Sequence, residues 1–273
     1  LWIAAPLTGL IVQPIVGYFS DRTWCKLGRR RPYFLGGAVC ASMALIGMPN
    51  SAYLWMAAGM LWIMDASINV SMEPFRAFVA DNLDESQQSY GYAMQSMFIG
   101  AASFIAGFLP GILVSWFGVS REKGAGGIPQ NIMWSFYIGS AVFLLAVLYT
   151  VFKSREYPPS DPNWKEKRQK NTPGWKEVLK AITQMPDAMK RLAVVQFFTW
   201  IALFILWIYS TPVVTQYVFG SADTASSVYN QGADWVGVLF SVYNGVAAIA
   251  ALALPLLTKR LGATGTHMAC LLI

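Results

Sequence analysis

The chain has 273 residues, 55% of them hydrophobic and only 12% charged, with a mean hydropathy of +0.44; a soluble globular domain carries about 25% charge, so this composition excludes water as the main solvent. Its net charge of +6 is gathered in short clusters between long uncharged runs that hold many of its 11 Trp and 16 Phe, a pattern of membrane topology that excludes nucleic acid as a partner. Cys25, Cys40, Cys270 and the single histidine, His267, show no disulfide or metal-ligand spacing and leave no constellation for Ser/His or Cys/His chemistry.

Seven apolar stretches follow in chain order, at 1–20, 32–48, 52–80, 92–117, 132–152, 192–219 and 235–257. Each is near or above the roughly 17–25 residues a helix needs to cross the hydrocarbon. None shows strand-like alternation, and a spanning segment must satisfy its backbone internally, so all seven are predicted to be membrane helices. The first residue already lies inside an apolar stretch and another apolar run begins at Met268. The chain is therefore expected to be cut at both ends.

Orientation follows from the positive charges. Arg22, Lys26, Arg29, Arg30 and Arg31 follow the first stretch, a run from Lys153 to Arg191 separates the fifth from the sixth, and Lys259 and Arg260 follow the seventh; the opposite side has only Arg121 and Lys123. Alternate loops agree, which places the basic ones in the cytoplasm. The long basic segment divides the chain into an amino-terminal half at 1–152, a linker at 153–191 and part of a carboxy-terminal half at 192–273. Pro158, Pro159 and Pro162 mark the first part of that linker as solvated. From Trp175, the recurrence of Val178, Leu179, Ile182 and Met185 predicts an amphipathic helix on the inner membrane surface or against the bundle, capped at Thr172-Pro173.

Two motifs resemble a known family. Gly17-Tyr18-Phe19-Ser20-Asp21-Arg22, followed by Gly28-Arg29-Arg30-Arg31-Pro32, resembles the loop between the second and third helices of major facilitator transporters. Asp65 through Asn69 and Pro74-Phe75-Arg76 through Asp81 are similar to the fourth helix of sucrose:proton symporters, in the glycoside-pentoside-hexuronide and sucrose-transporter group. The resemblance implies an all-α polytopic bundle with the major facilitator fold. It assigns the seven stretches to helices two through eight of a twelve-helix protein, with the ninth just begun. It also implies proton-coupled symport of a sugar such as sucrose or maltose. A proton is then the coupling ion with no further cofactor, the partners are the sugar and the lipid bilayer, and the full-length protein is expected to work as a monomer in a plasma membrane or bacterial inner membrane.

The residues have a physical reading of their own. Asp21 sits at the carboxyl end of a helix, where the dipole disfavours a negative charge, so it calls for a cationic partner. Gly17, Asp21, Arg22, Gly28, Arg29, Arg30 and Arg31 together are expected to form a cytoplasmic latch, or a cluster that only sets topology. Asp65 falls midway along the third stretch, where a charge costs about 2.5–3.5 kcal/mol, so it should face a polar cavity. At about 100° per residue Asn69 and Arg76 share its face, but roughly 16 Å of axial rise separates Asp65 from Arg76, too far for a direct pair. Carboxylate, guanidinium and carboxamide groups suit a neutral polyhydroxylated solute. Burial favours a neutral carboxyl group, so an acid at this depth can take a proton on one side and release it on the other. Glu73 has three readings: a second proton site, a gate charge, or an ion pair with Arg76 through their i,i+3 spacing, the last being favoured.

The remaining candidates are lining residues. Gln95 is either helix glue or a ligand. Trp200, Trp207, Tyr243 and Asn244 offer ring faces and a carboxamide to a sugar, although single aromatics also populate membrane interfaces. Where sucrose symporters carry an acidic element, this chain has Trp207 through Pro212, and where they carry Gln and Gly it has Met72 and Glu73. The identity of the sugar is thus open, and a porter for another solute or coupling ion is the alternative. Thr258 through Gly262 falls where the second half would repeat the first basic loop. An enzyme would need a convergent nucleophile, metal or acid pair, none of which is present in the sequence; a channel or receptor would not need the latch loop.

Overall fold

A computed structural model of the chain describes residues 3–122, 127–156, 184–223 and 226–272, without the side chain of Glu85. The helices are α1 (Ala4–Arg22), α2 (Arg31–Gly47), α3 (Leu54–Asn82), α4 (Glu85–Ser115), α5 (Gln130–Lys153), α6 (Asp187–Val213) and α7 (Ser227–Leu272), and the described residues contain no strand. All seven predicted stretches are helical. Pro14, Pro74, Pro110, Pro212 and Pro255 lie inside helices without ending them, as neighbouring helices in a bilayer permit.

The boundaries differ from the apolar stretches at several ends, because a helix continues through polar turns that hydropathy does not mark. α4 begins at Glu85 rather than 92, with the N–H groups of Gln87 and Gln88 bonded to the Asp84 carbonyl at 2.8 and 3.1 Å. α7 begins at Ser227 rather than 235, and the Ser226 hydroxyl accepts from the Tyr229 N–H at 3.1 Å. Pro212 is followed by a wide helical turn, Val214–Val218, in which the Phe219 N–H reaches the Val214 carbonyl at 3.1 Å. α7 breaks at Gly262 (φ 71°, ψ 171°) and continues to Leu272, the start of the eighth predicted helix. The predicted amphipathic helix lies outside the described residues apart from Gln184 and Met185.

Among the described residues, five helices are long and apolar enough to cross a membrane: Arg31–Asn50, Ser86–Ser115, Gln130–Lys153, Asp187–Val218 and Ser227–Leu272. This is fewer than the seven predicted. α1 and α3 are the exceptions, and they carry Thr8, Gln13, Asp21, Asp65, Asn69, Glu73 and Arg76. The two least apolar helices are therefore the two that hold the motifs.

The chain forms two compact units, Leu1–Gln88 with Pro110–Ile182, and Ser89–Leu109 with Thr183–Ile273. In the first, α2 packs on α3 at backbone distance: a Cβ at Gly37 would fall 2.6 Å from the Ser67 carbonyl oxygen and 2.8 Å from the Ser71 nitrogen. Phe34 fills the layer below, 1% exposed, edge-on to Phe75 and Phe78. α2 meets α5 through reciprocal serines, the Ser140 hydroxyl donating to the Ser42 carbonyl at 3.0 Å and the Ser42 hydroxyl to the Ser140 carbonyl at 3.4 Å. In the second unit, the middle of α4 packs on α7. A Cβ at Gly100 would stand 2.7 Å from the Asn244 carbonyl oxygen, and one at Gly107 would collide with the Ser241 hydroxyl. Small residues on α4 thus bring Ser89–Leu109 into this unit.

Candidate functional site

Two polar constellations occupy the first unit. The first lies at the basic end, where a tight turn joins α1 to α2: the Cys25 N–H donates to the Gly28 carbonyl at 3.1 Å and the Gly28 N–H to the Cys25 carbonyl at 2.9 Å. Gly28 has φ +103°, a conformation open to glycine. A Cβ there would also fall 2.8 Å from Oε2 of Glu156. The positive φ favours glycine at this position, and any side chain there would also displace the Glu156 carboxylate.

That carboxylate closes the amino end of α2. Glu156 accepts from the backbone N–H of Arg29 at 2.5 Å, of Arg30 at 3.1 Å and of Arg31 at 2.9 Å, where unpaired amides and the helix dipole both favour an anion. Arg31 returns the contact, its Nη1 donating to the carbonyls of Val151 and Ser154 at 2.9 and 2.8 Å at the end of α5, with its Nε 3.8 Å from Glu156. Arg30 is the hub. Its side chain is 7% exposed and bonds Asp81 at 2.5 Å and Asp21 at 3.0 Å, tying the ends of α1, α2 and α3 together. Arg29 joins Asp81 at 2.5 Å, and Arg22 lies 3.7 Å over the Tyr18 ring. Asp81 lies just past the third predicted span. Burial pushes its carboxyl up, but the hydrogen bonds and charges of Arg30 and Arg29 outweigh this and hold it below the usual range.

The second constellation lies deeper, between α1 and α3. Asn69 is 8% exposed. Its Nδ2 donates to the Asp65 carbonyl at 2.8 Å and to the Thr8 hydroxyl at 3.3 Å, while its Oδ1 accepts from Gln13 Nε2 at 2.6 Å. Every polar atom of Asn69 is thus engaged within the protein, and the residue bolts α3 to α1. The Asp65 carboxylate is half-buried, with no hydrogen-bond or ion-pair partner among the described residues. Glu73 lies over α1, its Cγ 3.9 Å from where a Cβ at Gly17 would stand. The expected Glu73–Arg76 ion pair does not form: Glu73 turns against α1 while Arg76 is exposed, and neither has an ionic partner among the described residues.

The family model for the Major Facilitator Superfamily matches residues 2–273. The chain belongs to the major facilitator superfamily. It is an integral, multi-pass membrane protein of a transporter family and not an enzyme. It is 27% identical over 301 residues to the sucrose transport protein SUT5 of Oryza sativa subsp. indica, covering 95% of this chain and 54% of the relative. It is 24% identical over 280 residues to the sucrose transport protein SUC4 of Arabidopsis thaliana, covering 91% and 54%. It is 26% identical over 236 residues to the general alpha-glucoside permease of Schizosaccharomyces pombe, covering 78% and 41%. The chain spans about half the length of the curated relatives it matches. No solved structure matches it.

In this major facilitator chain the remaining candidates belong to the second unit. Trp200 and Trp207 are on α6, with ring centroids 6.0 Å apart and Phe204 in contact with both. On α7, Tyr243 is half exposed and Asn244 donates to the Phe240 carbonyl of its own helix at 2.7 Å. Gln95 is half-buried on α4. Lys259, in the basic cluster after the seventh stretch, lies 5.4 Å from the Tyr90 ring. Sequence reasoning missed Glu156, Asp81's pairing, Gln13 and Thr8. For Gln13 a signal existed, since it is a carboxamide inside an apolar stretch.

Proposed function

We propose that the chain forms the substrate- and proton-handling part of a secondary active transporter that carries a neutral sugar, an α-glucoside such as sucrose or maltose, together with a proton by alternating access. The observation that carries this reading is the Asp65 carboxylate, which is half-buried on α3 without a partner among the described residues while Asn69, one turn away, is hydrogen-bonded through both its nitrogen and its oxygen. A charge held at that depth without a counter-ion is unfavourable by about 2.5–3.5 kcal/mol, a cost that protonation or a polar ligand removes. The acid is then charged or neutral according to which side of the membrane it meets. The printed names of the relatives, sucrose transport proteins and an alpha-glucoside permease, support a glucoside as the cargo.

Arg30 supplies the second part of the reading. Its pairs with Asp21 and Asp81 hold the basic ends of α1, α2 and α3 as one block, and such a block closes one side of the transport route in one state of the cycle. The test is uptake of labelled sucrose, maltose and aryl glucosides by the full-length protein in proteoliposomes, with and without an inward pH gradient. Gradient-driven accumulation of at least one glucoside is expected. Uptake that ignores the gradient for every sugar, or no sugar uptake at all, contradicts the proposal.

A further inference from the structure

We infer that Gln13 on α1 is a substrate-contact residue that presents a paired hydrogen-bond donor and acceptor to adjacent hydroxyl groups of the sugar, held in place for that task by Asn69. The inference rests on the reading of the chain as part of a sugar carrier and names a contact which that reading leaves unassigned.

The orientation of the Gln13 carboxamide follows from its neighbour. Asn69 Nδ2 has two hydrogens, and both are committed, one to the Asp65 carbonyl at 2.8 Å and one to the Thr8 hydroxyl at 3.3 Å. Thr8 in turn gives its own hydrogen to the Ala4 carbonyl at 2.8 Å, so it serves Asn69 as an acceptor. The Asn69 atom that faces Gln13 is therefore the oxygen, and the Gln13 atom 2.6 Å from it is the nitrogen. Gln13 is left with Oε1 and a second N–H, neither of which has a partner among the described residues. Gln13 is half-buried, and a carboxamide with two idle groups at that depth calls for a polar occupant.

The geometry fits a vicinal diol. A carboxamide fixed at one hydrogen keeps an acceptor and a second N–H, which suits one hydroxyl donating and its neighbour accepting. Asp65 lies one turn along α3 from Asn69, roughly 6 Å of axial rise. Two idle polar ends, the Asp65 carboxylate and the Gln13 carboxamide, thus lie beside an Asn69 whose two amide hydrogens are both committed within the protein and whose oxygen already accepts from Gln13. Asn69 is accordingly a positioning residue rather than a ligand.

The test uses the full-length protein in proteoliposomes with Gln13→Met, which keeps the volume and removes both groups, and Gln13→Asn, which keeps the carboxamide one methylene shorter. Transport of the parent disaccharide and of a series of its monodeoxy analogues is measured for each, with Asn69→Ala alongside. KM for the parent is expected to rise about 10–100-fold in Gln13→Met, with kcat and the pH profile retained. The penalty should shrink for each of the two analogues that lack one of the adjacent hydroxyls Gln13 meets and stay unchanged for the others, and Gln13→Asn should keep part of the discrimination. A penalty equal for every analogue and accompanied by the loss of thermal stability seen in Asn69→Ala overturns the inference, because Gln13 then only joins α1 to α3. Should the unmodified protein carry no sugar, the proposed function fails first; a sugar carrier with a flat analogue profile refutes this inference alone.

Discussion

Glu156 closes the amino end of α2 with a carboxylate that takes the backbone N–H groups of Arg29, Arg30 and Arg31, although some 125 to 127 residues of sequence separate them. Removing the charge while keeping the shape weakens charge-assisted bonds worth about 1.5–3 kcal/mol. Glu156→Gln should cost about 1–2 kcal/mol of that and Glu156→Ala about 2–3 kcal/mol, since alanine leaves buried amides unpaired. Thermal unfolding of the purified protein in detergent measures both. A Glu156→Ala protein as stable as the parent would show that water serves α2 equally well.

Gly28 depends on the same carboxylate. Alanine there meets both an unfavourable φ and a Glu156 oxygen at 2.8 Å. Gly28→Ala should therefore destabilise by about 1–3 kcal/mol, and part of that loss should disappear in the Gly28→Ala, Glu156→Ala double variant because the collision is gone. A double-mutant cycle of melting temperatures reads the coupling; strict additivity would contradict the contact.

Asp81 sets the pH window of the ion-pair block. Burial works against its charge, but Arg30 and Arg29 prevail and its carboxyl is held below the usual range. The stabilisation that Asp81 gives is thus complete above the ordinary carboxylate value of about 4 and is lost as pH falls through its lower folded value. Between pH 5 and 8 the block should be insensitive to pH. Asp81→Asn should change the rate of transport in that range without changing the shape of its pH profile, and a shifted profile would place a proton-coupling role on Asp81 instead.

The α2–α3 contact at Gly37 leaves no room for a side chain. With a virtual Cβ only 2.6 Å from the Ser67 carbonyl oxygen, Gly37→Val has to part the helices, a change of the over-packing kind that costs about 1–3 kcal/mol or more. The variant is expected to lose expression and to elute as aggregate on size exclusion, whereas Gly36→Ala, where nothing lies within 4 Å, should behave as the parent.

The helices were legible because a bilayer admits few solutions: a long apolar run without alternation has to be a helix, and proline does not change that. The basic turn was legible too, since five cations gathered after one stretch and the alternating loops agreed. Glu156 was not. Its local context, Arg155 to Pro159, looks like a solvated linker, and its partners lie far upstream in sequence. The partners of Asn69 are not legible either, because a single helix cannot show that Gln13 and Thr8 of α1 stand opposite it. The Glu73–Arg76 pair failed for the same reason: helical spacing allowed it, but Glu73 turned to the space that Gly17 leaves on α1.

Asp65→Asn tests the central claim most directly, because asparagine keeps the size and shape of the side chain but replaces one acceptor oxygen by an amide donor and removes both the charge and the group that takes up a proton. With the full-length variant in proteoliposomes, the account predicts that sugar exchange under equal concentrations continues while accumulation driven by an inward pH gradient is abolished. Accumulation driven by that gradient at the level of the unmodified protein would contradict it, and would mean that protons couple to transport at another group.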